Sequence, residues 1–106
     1  MKIVRTHRYV KDIKKLKASA DDVDAMERMI AANPAAGALI QGLKGVRKAR
    51  FRIGNRGKSG GGWVIYYVMV ADDVVLMITA YAKAEKEDLL SNDRTSILRM
   101  LEEFNR

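Results

Sequence analysis

The residues best suited to chemistry in this chain of 106 are cations. From Arg28 to Ala71 there are eight basic residues and no Asp or Glu, and seven of the eight fall between Lys44 and Lys58: Lys44, Arg47, Lys48, Arg50, Arg52, Arg56 and Lys58. The other 62 residues carry twelve basic and thirteen acidic side chains, so the net charge of +7 comes from one stretch. A cationic surface of this density attracts polyanions, and the competing reading is a solvated face that only keeps the protein in solution. Lys83 and Lys86 add two further cations downstream.

Other chemistries are poorly supplied. There is no cysteine, which excludes disulfides, thiolate metal sites and thiol catalysis. His7 is the only histidine and sits in a basic context, where an exposed polar residue is the simpler reading than a metal ligand. Gly57-Lys58-Ser59 has the ending of a phosphate-binding P-loop, but the glycine required five positions earlier is Arg52 and a strand follows instead of a helix. As a hairpin tip, residues 54–62 offer backbone N–H groups with Arg56 and Lys58 beside them. That tip either binds an anion or is a plain turn. No cofactor is expected.

The patterning says what must position these cations. Residues 46–53 alternate Ala49, Phe51 and Ile53 with Lys48, Arg50 and Arg52, the signature of a half-buried strand with one cationic face. The run 63–70 is apolar on both faces and is expected to be a central strand, with 74–81 as the next. The three pair as an antiparallel meander. Residues 2–5 are an edge-strand candidate, 6–16 a helix, and Ser19 followed by Asp22 opens a second helix that Asn33-Pro34 ends. Residues 34–45 read as a loop, with or without one helical turn; Asp72-Asp73 is a tight turn, 85–90 is short and helix-favouring, and an amphipathic helix follows Ser91. The expected architecture is one α+β domain over 1–106: an antiparallel meander with two N-terminal helices and a C-terminal helix packed on one sheet face. The longest uncharged run, 29–43, is fifteen residues, short of the ~18 needed to cross a bilayer. The N-terminus lacks the apolar segment of a secretory signal, so a cytoplasmic setting is expected.

If the sheet forms as expected, Lys48, Arg50 and Arg52 on the strand, Arg56 and Lys58 on the loop, and Lys83 and Lys86 after the last strand gather at one end. Such a face can hold RNA and stabilise the extra charge of a phosphorane, while RNA supplies its own 2′-hydroxyl nucleophile. No metal is then required.

Three segments resemble the RelE/HigB superfamily, in particular its HigB-like branch. Gly45-Val46-Arg47-Lys48-Ala49-Arg50-Phe51 resembles the family's G-x-x-K-x-R strand. Gly57-Lys58-Ser59-Gly60-Gly61 followed by Val64-Ile65-Tyr66-Tyr67 resembles G-K-x-G-G…V-I-Y-Y, and Tyr81 to Leu89 resembles Y-x-K-x-E-x-x-D-L. The resemblance implies a toxin of a type II toxin–antitoxin pair, a metal-independent endoribonuclease that cuts mRNA in the ribosomal A site and is neutralised by an antitoxin, often a helix-turn-helix protein. Carried over by position, Lys48, Arg50 and Lys83 are the implied catalytic residues, with Arg47, Arg52, Arg56, Lys58, Trp63 and Lys86 in RNA binding. Where the family usually places an arginine before V-I-Y-Y, this chain has Trp63, and Leu89-Leu90 replace the usual tyrosine or histidine. Trp63 either stacks on a base or covers the core; Arg52, Arg56 or Lys58 would stand in for the missing arginine. The alternatives are a relative that binds RNA or antitoxin without cutting, and a protein-interaction module whose basic face docks an acidic segment.

Overall fold

A computed structural model describes residues 1–54 and 61–105. The chain forms β1 (Lys2–Arg5), α1 (His7–Leu16), α2 (Ala20–Ala32), a 3₁₀ turn (Pro34–Ala36), β2 (Ala38–Leu39), β3 (Val46–Phe51), β4 (Gly62–Met69), a second 3₁₀ turn (Val70–Asp72), β5 (Val74–Ala82) and α3 (Ser91–Phe104). The five strands lie in the order β1-β5-β4-β3-β2. The β3–β4–β5 meander is antiparallel, β1 joins β5 in parallel, and β4 is central as its two-sided apolar sequence requires.

Local chemistry explains the helix ends. The Thr6 hydroxyl accepts from the Tyr9 N–H and caps α1; Ser19 does the same for the Asp22 N–H at α2. Asp21 and Asp22 in the first turn of α2 suit the positive end of the helix. Asn33 caps α2 immediately before Pro34.

The helices divide between the two sheet faces, a correction to the expectation that all pack on one. Tyr9, Leu16, Met26 and Ile30 from α1 and α2 pack with Ala49, Phe51, Val64, Tyr66, Val75 and Met77. Ile97 and Leu101 from α3 pack with Val46, Ile65, Leu76, Ile78 and Tyr81 on the other side. The physical reason lies in β4 and β5: with apolar residues pointing both ways, a single helical layer would leave half of them in water.

Two local expectations also change. Residues 85–90 form no helix. A turn over 83–85 leads into bends and irregular backbone, because tertiary contacts capture this segment: Leu89 is buried and the Glu87 carbonyl accepts bonds from Lys48 and Tyr81. The loop 34–45 contains the short edge strand β2 besides its helical turn. Its shape is fixed by buried Tyr66, whose hydroxyl donates to the Pro34 carbonyl and accepts from the Gly37 N–H.

Candidate functional site

Alternation along β3 separates its side chains. Ala49 and Phe51 enter the α1–α2 core, while Lys48 and Arg50 stand on the α3 face. The register sets Arg50 opposite Trp63 on β4. At the start of β4, Gly62 has no room for a side chain: a Cβ would lie 2.8 Å from both Ile53 and Phe51 and 3.0 Å from the Tyr81 carbonyl. This close approach brings Trp63 onto the sheet beside Tyr81, its partner on β5.

Trp63 is half-buried against the α3-side core. The Lys48 ammonium lies 4.2 Å and the Arg50 guanidinium 5.5 Å from its ring centroid. The ring is therefore a platform for two cations, and its Nε1 is buried without a hydrogen-bond partner among the described residues. Lys48 also donates to the Glu87 carbonyl and to Asp88 Oδ1, the latter at 3.1 Å. Its side chain is only 16% exposed, against 83% for Asp88. Arg50 is exposed.

The segment after β5 closes over this face. The Lys83 N–H donates to the Gly61 carbonyl at 2.9 Å, carrying the β4–β5 pairing one step further, and Glu85 N–H returns to the Ala82 carbonyl. The Tyr81 hydroxyl donates to the Glu87 carbonyl at 3.4 Å. Burial, helped by Asp88, Asp93 and Glu87, pushes the Tyr81 phenol up to about 12, so it stays a donor at neutral pH. Lys86 lies over the Tyr81 ring and donates to Asp93 Oδ2 at 2.9 Å. Asp93 further accepts from Arg8 and from the Leu90 N–H at the start of α3. Burial alone would push the Asp93 carboxyl up, but the bonds from Lys86, Leu90 and Arg8 outweigh it and hold the group below the usual carboxylate range.

The sequence-derived candidates thus separate into groups. Lys48, Arg50 and Trp63 share one face, and Lys83 follows the adjoining end of β5. Lys86 is nearby, committed to Asp93. Arg47 points to the opposite face, where it donates to the Gly37 and Ala35 carbonyls at 2.7 and 3.2 Å and holds the 34–37 turn. Arg52 lies past the end of β3; its Nε donates to the Gly54 carbonyl at 3.2 Å. The Gly54 N–H donates to Asp22 at 2.7 Å, and with Ser19 and the nearby Arg52 this holds the Asp22 carboxyl low against the opposing effect of desolvation. Arg56 and Lys58 lie outside the described residues. His7 is exposed, and no cluster of metal-ligating side chains occurs among the described residues. One site residue was not singled out from the sequence: Asp88, which lies within the third motif and whose contact with Lys48 spans 40 positions.

What this face offers chemically is two cations on an aromatic platform, Arg50 with no hydrogen-bond or ion-pair partner among the described residues and Lys48 with a carboxylate beside it. It can hold a phosphodiester by charge and by N–H donation. No helix among the described residues is long and apolar enough to cross a membrane.

No family model matches the chain. Among solved structures, it is similar to the toxin RelE of E. coli, in the free state and as a double arginine-to-alanine mutant. The TM-score is 0.56 at 18% identity, over 81% of this chain and 86% of that one. The shared feature is the fold: a RelE-like α+β domain.

Proposed function

We propose that this protein is the toxin of a type II toxin–antitoxin pair, a HigB-like mRNA endonuclease that works in the ribosomal A site. The observation that carries the reading is the Lys48–Arg50–Trp63 face on a RelE-like sheet. Three motifs of that superfamily in the right order support it.

In this reading mRNA lies across β3 and β4. The 2′-hydroxyl attacks the adjacent phosphorus and the phosphorane gains negative charge. Arg50, exposed and fixed on a strand, donates to the non-bridging oxygens, with Lys83 adding charge from the end of β5. Fixed donors aimed at developing charge are the largest single contribution in most such sites. Lys48 orients the strap 83–90 and adds its own charge. Arg52, Arg56, Lys58 and Lys86 extend the positive field along the RNA. No metal or cofactor is part of the reaction. The cognate antitoxin, a helix-turn-helix protein, covers this face, and the setting is cytoplasmic.

One observation favours a second reading, a protein that binds RNA without cutting. Lys48 is engaged by Glu87, Asp88 and the Trp63 ring, and Trp63 stands where the family's arginine is usual. The experiment is incubation of the purified protein with ribosomes carrying a defined mRNA. The proposal expects ribosome-dependent fragments ending in 2′,3′-cyclic phosphate. Salt-sensitive binding without fragments supports the second reading, and neither outcome leaves the interaction module.

A further inference from the structure

Transesterification of RNA needs a group that takes the 2′-hydroxyl proton. Ammonium and guanidinium groups are donors without an acceptor, so the cations named above do not fill that role as such. We propose that Asp88 is the proton acceptor, an assignment that rests on the function just proposed.

Asp88 Oδ1 lies 3.1 Å from Lys48 Nζ, directly beside the cationic face. The side chain is 83% exposed, so a substrate can reach it. Its backbone is nevertheless pinned on both sides. The preceding Glu87 carbonyl accepts from Lys48 and Tyr81, and the following Leu89 is buried in the α3-side core. The backbone that carries this solvent-facing carboxylate is thus fixed in place beside Lys48. Two nearby carboxylates are occupied: Asp93 accepts from Lys86, Arg8 and the Leu90 N–H, and Asp12 accepts from the Thr79 hydroxyl and pairs with Arg8. Glu85 and Glu87 are exposed, and Asp88 is set apart from them by its contact with Lys48. Among the described residues outside its own segment, the charged and titratable groups facing Asp88 are Lys48 from β3 and Tyr81 from β5.

The step balances without a co-reactant. The 2′-O–H bond breaks and its proton passes to the Asp88 carboxylate. The 2′-oxygen bonds to phosphorus, and the P–O5′ bond breaks with its electron pair on oxygen. That oxygen takes a proton from water, and Asp88 returns its own to solvent. The products are a 2′,3′-cyclic phosphate and a 5′-hydroxyl.

The test is single-turnover cleavage of ribosome-bound mRNA by wild type, Asp88→Asn and Asp88→Glu across pH, with thermal midpoints and ribosome affinity measured in parallel. Asp88→Asn should cleave about 10²–10⁴-fold more slowly at neutral pH, the usual span for losing a general base, with the acid limb of the pH profile gone. Ribosome affinity should not fall, since a negative charge has been removed, and the thermal midpoint should hold because an exposed ion pair adds little stability. Asp88→Glu should recover part of the rate. Asn cleaving within a few-fold of wild type, or a loss in both variants that is the same at every pH, overturns the assignment alone. A wild type that never cleaves overturns the proposed function and this step with it.

Discussion

The two cations over Trp63 permit a stability prediction that needs no assumption about function. A cation–π contact contributes about 0.5–1 kcal/mol where exposed and about 2 kcal/mol when desolvated. Lys48, 16% exposed and 4.2 Å from the ring, belongs near the upper figure; Arg50, exposed and at 5.5 Å, near the lower. Together they amount to about 2–3 kcal/mol. A direct comparison of Trp63→Leu with wild type would mix this with loss of the unpartnered Nε1, which itself costs about 1–3 kcal/mol while buried. Trp63→Phe removes the same N–H and keeps a ring beneath the cations. The difference between the two variants isolates the ring. Because a phenyl face is weaker than an indole face, Trp63→Leu should be less stable than Trp63→Phe by about 1–2 kcal/mol. Urea denaturation of both proteins at a common slope measures it. Equal midpoints would show that the ring packs as plain apolar surface and that the cations merely lie near it.

Three further outcomes follow from named contacts. Glu27, 5% exposed, accepts from Arg5 and the Tyr9 hydroxyl; Glu27→Gln should cost about 1–3 kcal/mol in urea denaturation, less than the ~3–5 of a fully buried pair because the Arg5 side chain is 54% exposed and can rehydrate. Asp93 titrates below its ordinary value of about 3.9, so its contribution to stability is complete above that pH and is lost as the pH falls through the depressed value; wild type should therefore lose stability more steeply than Asp93→Asn below about pH 4, as read from thermal midpoints. Trp63 faces the same side as Arg50, so Trp63→Arg should speed mRNA cleavage by up to about 10²–10³, the size of one transition-state donor, and a folded variant with no gain would place the phosphate elsewhere.

Much of this arrangement was legible because it depends on period alone. Burial of Ala49, Phe51 and Ile53 beside less buried Lys48 and Arg50 follows from alternation, and the central place of β4 from apolar residues on both faces. The same two-sidedness in β4 and β5 already required helices on both faces, and strict alternation already sent Arg47 away from Lys48. What period could not supply was contact across distance. The Lys48–Asp88 pair, the burial of Glu27 between Arg5 and Tyr9, and the capture of 85–90 as irregular backbone all depend on residues far apart in sequence. There tertiary contacts override local helix preference. β2 has two exposed residues, too few to carry any pattern.

The central claim is that the α3-facing side of β3 and β4 is the active face. It is tested most directly by cleavage of ribosome-bound mRNA with Arg50→Ala and Arg47→Ala, two arginines on opposite faces of one strand. Arg50 is exposed and holds no loop, so its loss should leave a folded protein that cleaves at least about 10²-fold more slowly. Arg47→Ala should loosen the 34–37 turn and lower the thermal midpoint while cleaving within a few-fold of wild type at a temperature where it is folded. Arg50→Ala cutting at the wild-type rate, or Arg47→Ala abolishing cleavage while folded, would contradict the account.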